Sequence, residues 1–217
     1  MTFPSALLWV AGYLGVMLLY TALDVAVWRK TAPAVSGWLD LVCTAAFAAG
    51  FLALMQRSYG KISWTERVSV TGVLLALVCA AGFYVVLDLG VDPLLAKAFP
   101  GSESQYQEAV QSLLKTPAAA FLKVCVIAPI MEETLIRWFL LGGLRSGYGD
   151  TAALAVSTLV FALLHFNMVQ TLSALVCGAA LGLLFLHTGS ILCCILAHCG
   201  YNLISCAALL ANGTTGR

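Results

Sequence analysis

Charge is scarce in this sequence: Asp, Glu, Lys and Arg make up 10% of the 217 residues. A soluble domain carries about a quarter, so that class is excluded. The few charges nearly cancel, to a formal net +1, which gives no electrostatic reason to expect nucleic acid or an acidic partner. Cysteine is plentiful at eight residues, yet no two are spaced C-x-x-C. That removes the usual signatures of a zinc ribbon or a disulfide framework and leaves small apolar packing as their role. One spacing departs from this, since Cys194 and His198 are four apart and would share a helix face as a weak metal pair. Low-complexity segments, internal repeats and matched pairs of interrupted helices are all missing, and the last of these marks many transporters.

What the sequence has instead is apolar length. Hydrophobic residues make up 61% and the mean hydropathy is +0.96, as in an integral membrane protein. Crossing about 30 Å of hydrocarbon takes roughly 20 helical residues. About seven runs approach or exceed that length: Ala6–Trp28, Gly37–Met55, Val68–Leu89, Pro117–Leu144, Thr151–Phe166, Met168–His187 and Ser190–Ala211. They are continuous rather than alternating with period two, so the expected fold is an all-α, polytopic transmembrane bundle and not a barrel. The first run is too long for a signal peptide, lacks a basic lead and a small-residue cleavage site, and is expected to stay. Arg29, Lys30, Lys97, Lys115 and Arg217 fall on one side, and Arg57, Lys61, Arg67 and Arg145 on the other. That difference is too small to set an orientation.

One connection is long, from Gly90 to about Thr116. Within it, SESQYQEAVQSLLK predicts an amphipathic interfacial helix capped by Ser104, with Gln107 three residues on and Tyr106, Val110, Leu113 and Leu114 near one face. The chain divides into residues 1–116, which carry no recognisable motif, a helical core at 117–211 and a short polar tail at 212–217. In the first part Asp24, Asp40 and Asp88 fall near helix ends and read as interfacial or packing residues. His187, beside TGS, reads as a helix-end residue. GAALG, Gly178 to Gly182, has the small-xxx-small pattern of closely packed membrane helices.

Ionisable groups within spans are costly, about 2.5–3.5 kcal/mol each on insertion scales, and usually face a bundle interior or a wet cavity. Such groups cluster here in the second half: Glu132, Glu133 and Arg137 in PIMEETLIRWF, His165, and His198 with Asn202. Glu133 and Arg137 are four apart, which stacks them on one helix face and permits an ion pair. Glu132 then points about 100° away, free for other work. His198 and Asn202 are also four apart, and Phe161 sits one turn before His165. A carboxylate beside a histidine can deprotonate water, while a second histidine and an amide can donate to an oxyanion; together these parts suit hydrolysis of a peptide bond. The same residues offer a second use, because Glu132, His165 and His198 make a one-Glu, two-His catalytic zinc set.

In order along the chain, EETLIR (Glu132–Arg137), FALLH (Phe161–His165) and HCGYN (His198–Asn202) resemble the EExxxR, FxxxH and HxxxN motifs of the CPBP family. This family comprises the CAAX proteases and bacteriocin-processing enzymes, relatives of the type II CAAX prenyl endopeptidase. The resemblance spans roughly residues 117–211. It implies an intramembrane endopeptidase in which Glu132 and His165 activate water and His198 and Asn202 form the oxyanion hole. Glu133, Arg137 and Phe161 would support them. The substrate would be a membrane-associated protein or peptide, with the lipid bilayer as the surrounding partner and no nucleic acid. The metal-free, glutamate-type mechanism is favoured, with zinc as the alternative. The resemblance also implies a bacterial plasma membrane. Two other expectations stand beside it, a non-catalytic scaffold or immunity-type binding protein and a small proton or ion transporter.

Overall fold

The computed structural model describes residues 2–214, with side chains placed except at 112, 113 and 212–214. The expected Leu113 contact, Arg217 and the side chains of the 212–217 tail therefore lie outside the described residues. Among those described there is no strand, and the chain forms seven helices. They are α1 Phe3–Thr31, α2 Ser36–Tyr59, α3 Val70–Ala98 and α4 Pro100–Leu113. α5 covers 117–163 with a bend, followed by α6 Met168–Thr188 and α7 Ile191–Thr214.

The burial pattern is that of a lipid-embedded bundle. Leu8, Val70, Val78 and Leu163 on outer helices are all more than 60% exposed, whereas Glu133 and Arg137 are 0% and 1% exposed. Apolar side chains on the outside and charges inside reverse the arrangement of a water-soluble protein. α1, α2, α3, α6 and α7 are long and apolar enough to cross a membrane. The two other expected spans are both parts of α5. One, Pro117–Leu144, carries Lys123, Glu132, Glu133 and Arg137, and the other, Thr151–Phe166, is helical only over 151–163.

The first arm of α5 is the centre of the fold. Leu135, Ile136, Leu140 and Leu141 on it are fully buried, and between them only Trp138 keeps partial exposure. α1 and α2 close one side through an aromatic cluster in which Trp9 meets Phe51 and Phe139 edge-on at 5.4 and 5.9 Å. On α3, small residues recur every four positions, Gly72, Ala76 and Ala80, on the face that packs against α7. The α5 helix bends at Gly149, whose φ of 80° is open to glycine but not comfortably to other residues. Its two arms are clasped there by Arg145, which donates twice to Asp150, at 3.0 and 3.1 Å.

Several boundaries differ from expectation. The third span continues past Leu89 to Ala98, so most of the supposed connection is helix. A π-helical stretch, Tyr84–Val91, precedes Pro93, and its wider turn accommodates a residue that cannot donate a backbone hydrogen bond. Ser104 is not a cap. α4 starts four residues earlier at Pro100, a residue suited to a first helical position, and Ser104 Oγ instead donates back to the Pro100 carbonyl at 3.1 Å. Val110 is buried and Tyr106 half-buried on the inner face of α4, but Leu114 is exposed. The first arm of α5 extends beyond Leu144 to the break at Gly149.

Asp24, Asp40 and Asp88 are all paired. Asp24 accepts from Arg29 at 2.6 Å, Asp40 from Lys123 at 2.5 Å, and Asp88 from the hydroxyls of Tyr201 and Ser205. All eight cysteines are free thiols.

Candidate active site

Glu132 and Glu133 are neighbours with opposite environments. The helical step of about 100° sends Glu133 inward, fully buried, and leaves the Glu132 side chain 21% exposed. Immediately after them the backbone widens into a π-helical stretch, Thr134–Leu141, which carries Arg137. Such stretches are rare and concentrate at functional sites.

Arg137 ties the two arms of α5 to α6. Its Nη1 donates to Glu133 Oε1 at 2.9 Å, the pair expected from the four-residue spacing. Its Nη2 donates to the Gly178 carbonyl on α6 at 3.1 Å. Its guanidinium lies over the Phe161 ring, 4.4 Å from the centroid, a stabilising cation–π geometry. Gly178 makes the approach possible: a Cβ there would stand 3.0 Å from Phe161 Cδ1, and one at Gly182 would stand 2.4 Å from Leu154 Cδ1. The GAALG pattern thus lets α6 close on the second arm of α5. Gly178 had no expected place in the site, and the signal for it was that small-residue pattern.

Glu133 Oε1 has a second partner, His198 Nδ1 on α7, at 2.8 Å. An ionised carboxylate only accepts, so Nδ1 must carry the proton. The ring's other nitrogen, Nε2, then faces Glu132 Oε2 at 4.0 Å. The histidine is buried and held edge-on to Phe161 at 5.8 Å between ring centroids. Within this cluster one carboxylate orients the histidine and the other faces it across a gap. Glu133 Oε2 and Arg137 Nε are buried with no hydrogen-bond partner among the described residues.

His165 does not lie on a helix. The second arm of α5 ends at Leu163, and His165 follows in the turn, because Phe166 takes a left-handed φ of 42° that stops the helix. Its Nδ1 bonds to the Phe161 carbonyl at 2.9 Å. A carbonyl can only accept, so this nitrogen too is the protonated one and Nε2 holds the lone pair. The two rings meet edge-on at 5.0 Å. Phe161 is therefore in contact with Arg137, His165 and His198 together. No bond joins His165 to Glu132 among the described residues.

Asn202 is half-buried one turn beyond His198. Its amide donates to the Val124 carbonyl at 2.8 Å, in the π-helical stretch Lys123–Ile127. An amide nitrogen carries two hydrogens, and one is left for another acceptor. Cys194 does not pair with His198; its thiol donates weakly to the Leu181 carbonyl at 3.5 Å. His187 is exposed in the last turn of α6, where Gly189 closes the helix with a φ of 65°.

Zinc would place a further demand on these residues. A catalytic zinc site needs three converging protein ligands, and among the described residues no three His, Cys, Asp or Glu side chains converge in that way. The Glu132–His198 pair approaches such an arrangement, but His165 is not brought to it. The donor set as placed does not fit a three-ligand centre.

Comparison with known proteins agrees with the motif reading. Residues 114–204 match the family described as Type II CAAX prenyl endopeptidase Rce1-like. The match supports an activity of the CAAX-type intramembrane protease kind, acting on membrane-associated substrates. No curated protein and no solved structure matches the chain.

Proposed function

Taking residues 114–204 as the core of a CAAX-type protease, we propose that this integral membrane protein hydrolyses a peptide bond by a metal-free, glutamate-based mechanism. The observation that carries the proposal is the division of labour between adjacent glutamates. Glu133 is buried with its Oε1 shared between Arg137 and His198, whereas Glu132 is partly exposed, makes no hydrogen bond among the described residues and lies 4.0 Å from His198 Nε2.

In this reading Glu132 is the general base. It takes a proton from a water held also by the lone pair of His165 Nε2, and the water oxygen adds to the scissile carbonyl carbon. The carbonyl π pair moves to oxygen. His198, protonated at both nitrogens, and the second amide hydrogen of Asn202 donate to that oxyanion. Collapse restores the carbonyl and breaks the C–N bond, and the proton on Glu132 passes to the departing amine. Glu133 supports the imidazolium through its 2.8 Å bond. With Glu132 and Glu133 ionised, Arg137 and His198 protonated, the four-group cluster has no net charge, which limits the cost of burying it.

The substrate would be a protein or peptide precursor held in the bilayer, and the cell surface involved a bacterial plasma membrane.

The decisive experiment compares protein termini by mass spectrometry in membranes containing the native chain or Glu132→Ala at equal abundance. Termini present only with the native chain are the expected result. Identical sets of termini under several growth conditions would overturn the proposal. Retained cleavage in a strong zinc chelator is the companion expectation.

A further inference from the structure

The turn that carries His165 is held by a residue outside the three motifs. Asn167 is 9% exposed and is bonded through both ends of its amide. Its Oδ1 accepts from Gln170 N at 3.3 Å, capping α6. Its Nδ2 donates to the Ser102 carbonyl at 2.8 Å, in the first turn of α4.

The two bonds have different requirements. Capping needs only an acceptor, and Asp or Ser would serve as well as Asn. Reaching a backbone carbonyl needs a donor, which Asp lacks when ionised and Ser cannot extend far enough to supply. The amide is thus the group that joins the α5–α6 turn to α4 while still starting α6.

Between the two residues lies Phe166, a bulky side chain with a left-handed φ of 42° and 68% exposure. Such a conformation persists only when its flanks are fixed. One flank is fixed by His165 itself, through Nδ1 and the Phe161 carbonyl at 2.9 Å. The other flank is Asn167. Releasing either end would let Phe166 relax toward negative φ, turning the peptide that follows His165 and with it the imidazole.

We propose that Asn167 is a positioning residue, whose amide bond to the Ser102 carbonyl holds the His165 imidazole in place. The inference deepens the protease reading and rests on it for its catalytic meaning, although the placement of the ring can be tested without any substrate.

The test uses the full-length protein in lipid nanodiscs with 15N-labelled histidine, as native chain, Asn167→Ser, Asn167→Asp and Asn167→Ala. The chain has three histidines, so each signal can be assigned by replacing one histidine at a time. In the native protein His165 should show a single tautomer protonated at Nδ1. Asn167→Ser and Asn167→Asp keep the cap and lose only the bond to the Ser102 carbonyl, so they should melt above Asn167→Ala, and the His198 signal should not move. The His165 signal alone should shift to exchanging tautomers in both. Production of the Glu132-dependent termini should fall about 100-fold, the usual scale for a misplaced catalytic group.

A native His165 signal in the cap-retaining variants would overturn the proposal whatever their stability. A loss confined to Asn167→Ala, together with a lower melting temperature, would assign Asn167 to capping alone and overturn it as well. If the native chain and Glu132→Ala yield the same termini, the protease reading falls. The tautomer measurement then decides the positioning role by itself.

Discussion

Arg137 offers the sharpest quantitative test of the fold around the site. Replacing it by Ala removes the 2.9 Å bond to Glu133, the 3.1 Å bond to the Gly178 carbonyl and the contact with Phe161 at 4.4 Å. Glu133 would remain fully buried with His198 as its one partner. Breaking a buried pair from one side costs about 3–5 kcal/mol, because the surviving charge is left without compensation. For a chain of this length that corresponds to a melting temperature lowered by roughly 6–20 °C. Thermal unfolding followed with a thiol-reactive dye suits this protein, since Cys177, Cys193 and Cys194 are buried in the fold and become reactive when it opens. A second variant separates lost charge compensation from lost packing. Adding Glu133→Gln to Arg137→Ala leaves the cavity but removes the orphaned charge, and should recover about half of the loss. An Arg137→Ala protein that melts within a degree of the native one would refute the reasoning. So would a double variant no more stable than the single.

Other variants test separate parts of the structure. Glu132→Ala should abolish cleavage while leaving membrane accumulation and melting unchanged, because its side chain is partly exposed and makes no hydrogen bond among the described residues; quantitative blotting beside the terminus comparison checks both. Phe161→Ala should lower stability by about 3–5 kcal/mol and also reduce cleavage, since its ring touches Arg137 and both candidate histidines. Gly182→Val should destabilise by about 1–3 kcal/mol through overpacking against Leu154, read from the same thermal assay, with a smaller effect expected if the flexible leucine end can move aside. Asn202→Asp should keep the helix but reduce cleavage, as its amide donors to the Val124 carbonyl and to the proposed oxyanion are both lost.

Much of this molecule can be read from one-dimensional spacing. Apolar runs near the length of a membrane crossing announced the helices, and the four-residue interval between Glu133 and Arg137 announced their ion pair. Both depend on local helical geometry. Boundaries were less legible where an unusual turn intervenes. The π-helical stretch before Pro93 carries the third span onward to Ala98, and Pro100 starts α4 ahead of the plausible cap at Ser104. His165 reads as part of a continuous span, yet a left-handed Phe166 leaves it just past the helix end.

Sequence alone thus determined that the chain is a helical membrane protein with a polar cluster in its second half, because hydropathy and helical period act residue by residue. Only the tertiary structure decided which glutamate is inside. The four-residue interval to Arg137 pairs Glu133 and turns Glu132 about 100° away along the helix, but spacing within one helix does not say which of those two faces is buried. The choice is made by groups distant in the chain: His198, 65 residues from Glu133, and the Gly178 carbonyl, 41 residues from Arg137. Packing brings these against one face of α5 and leaves the other to Glu132.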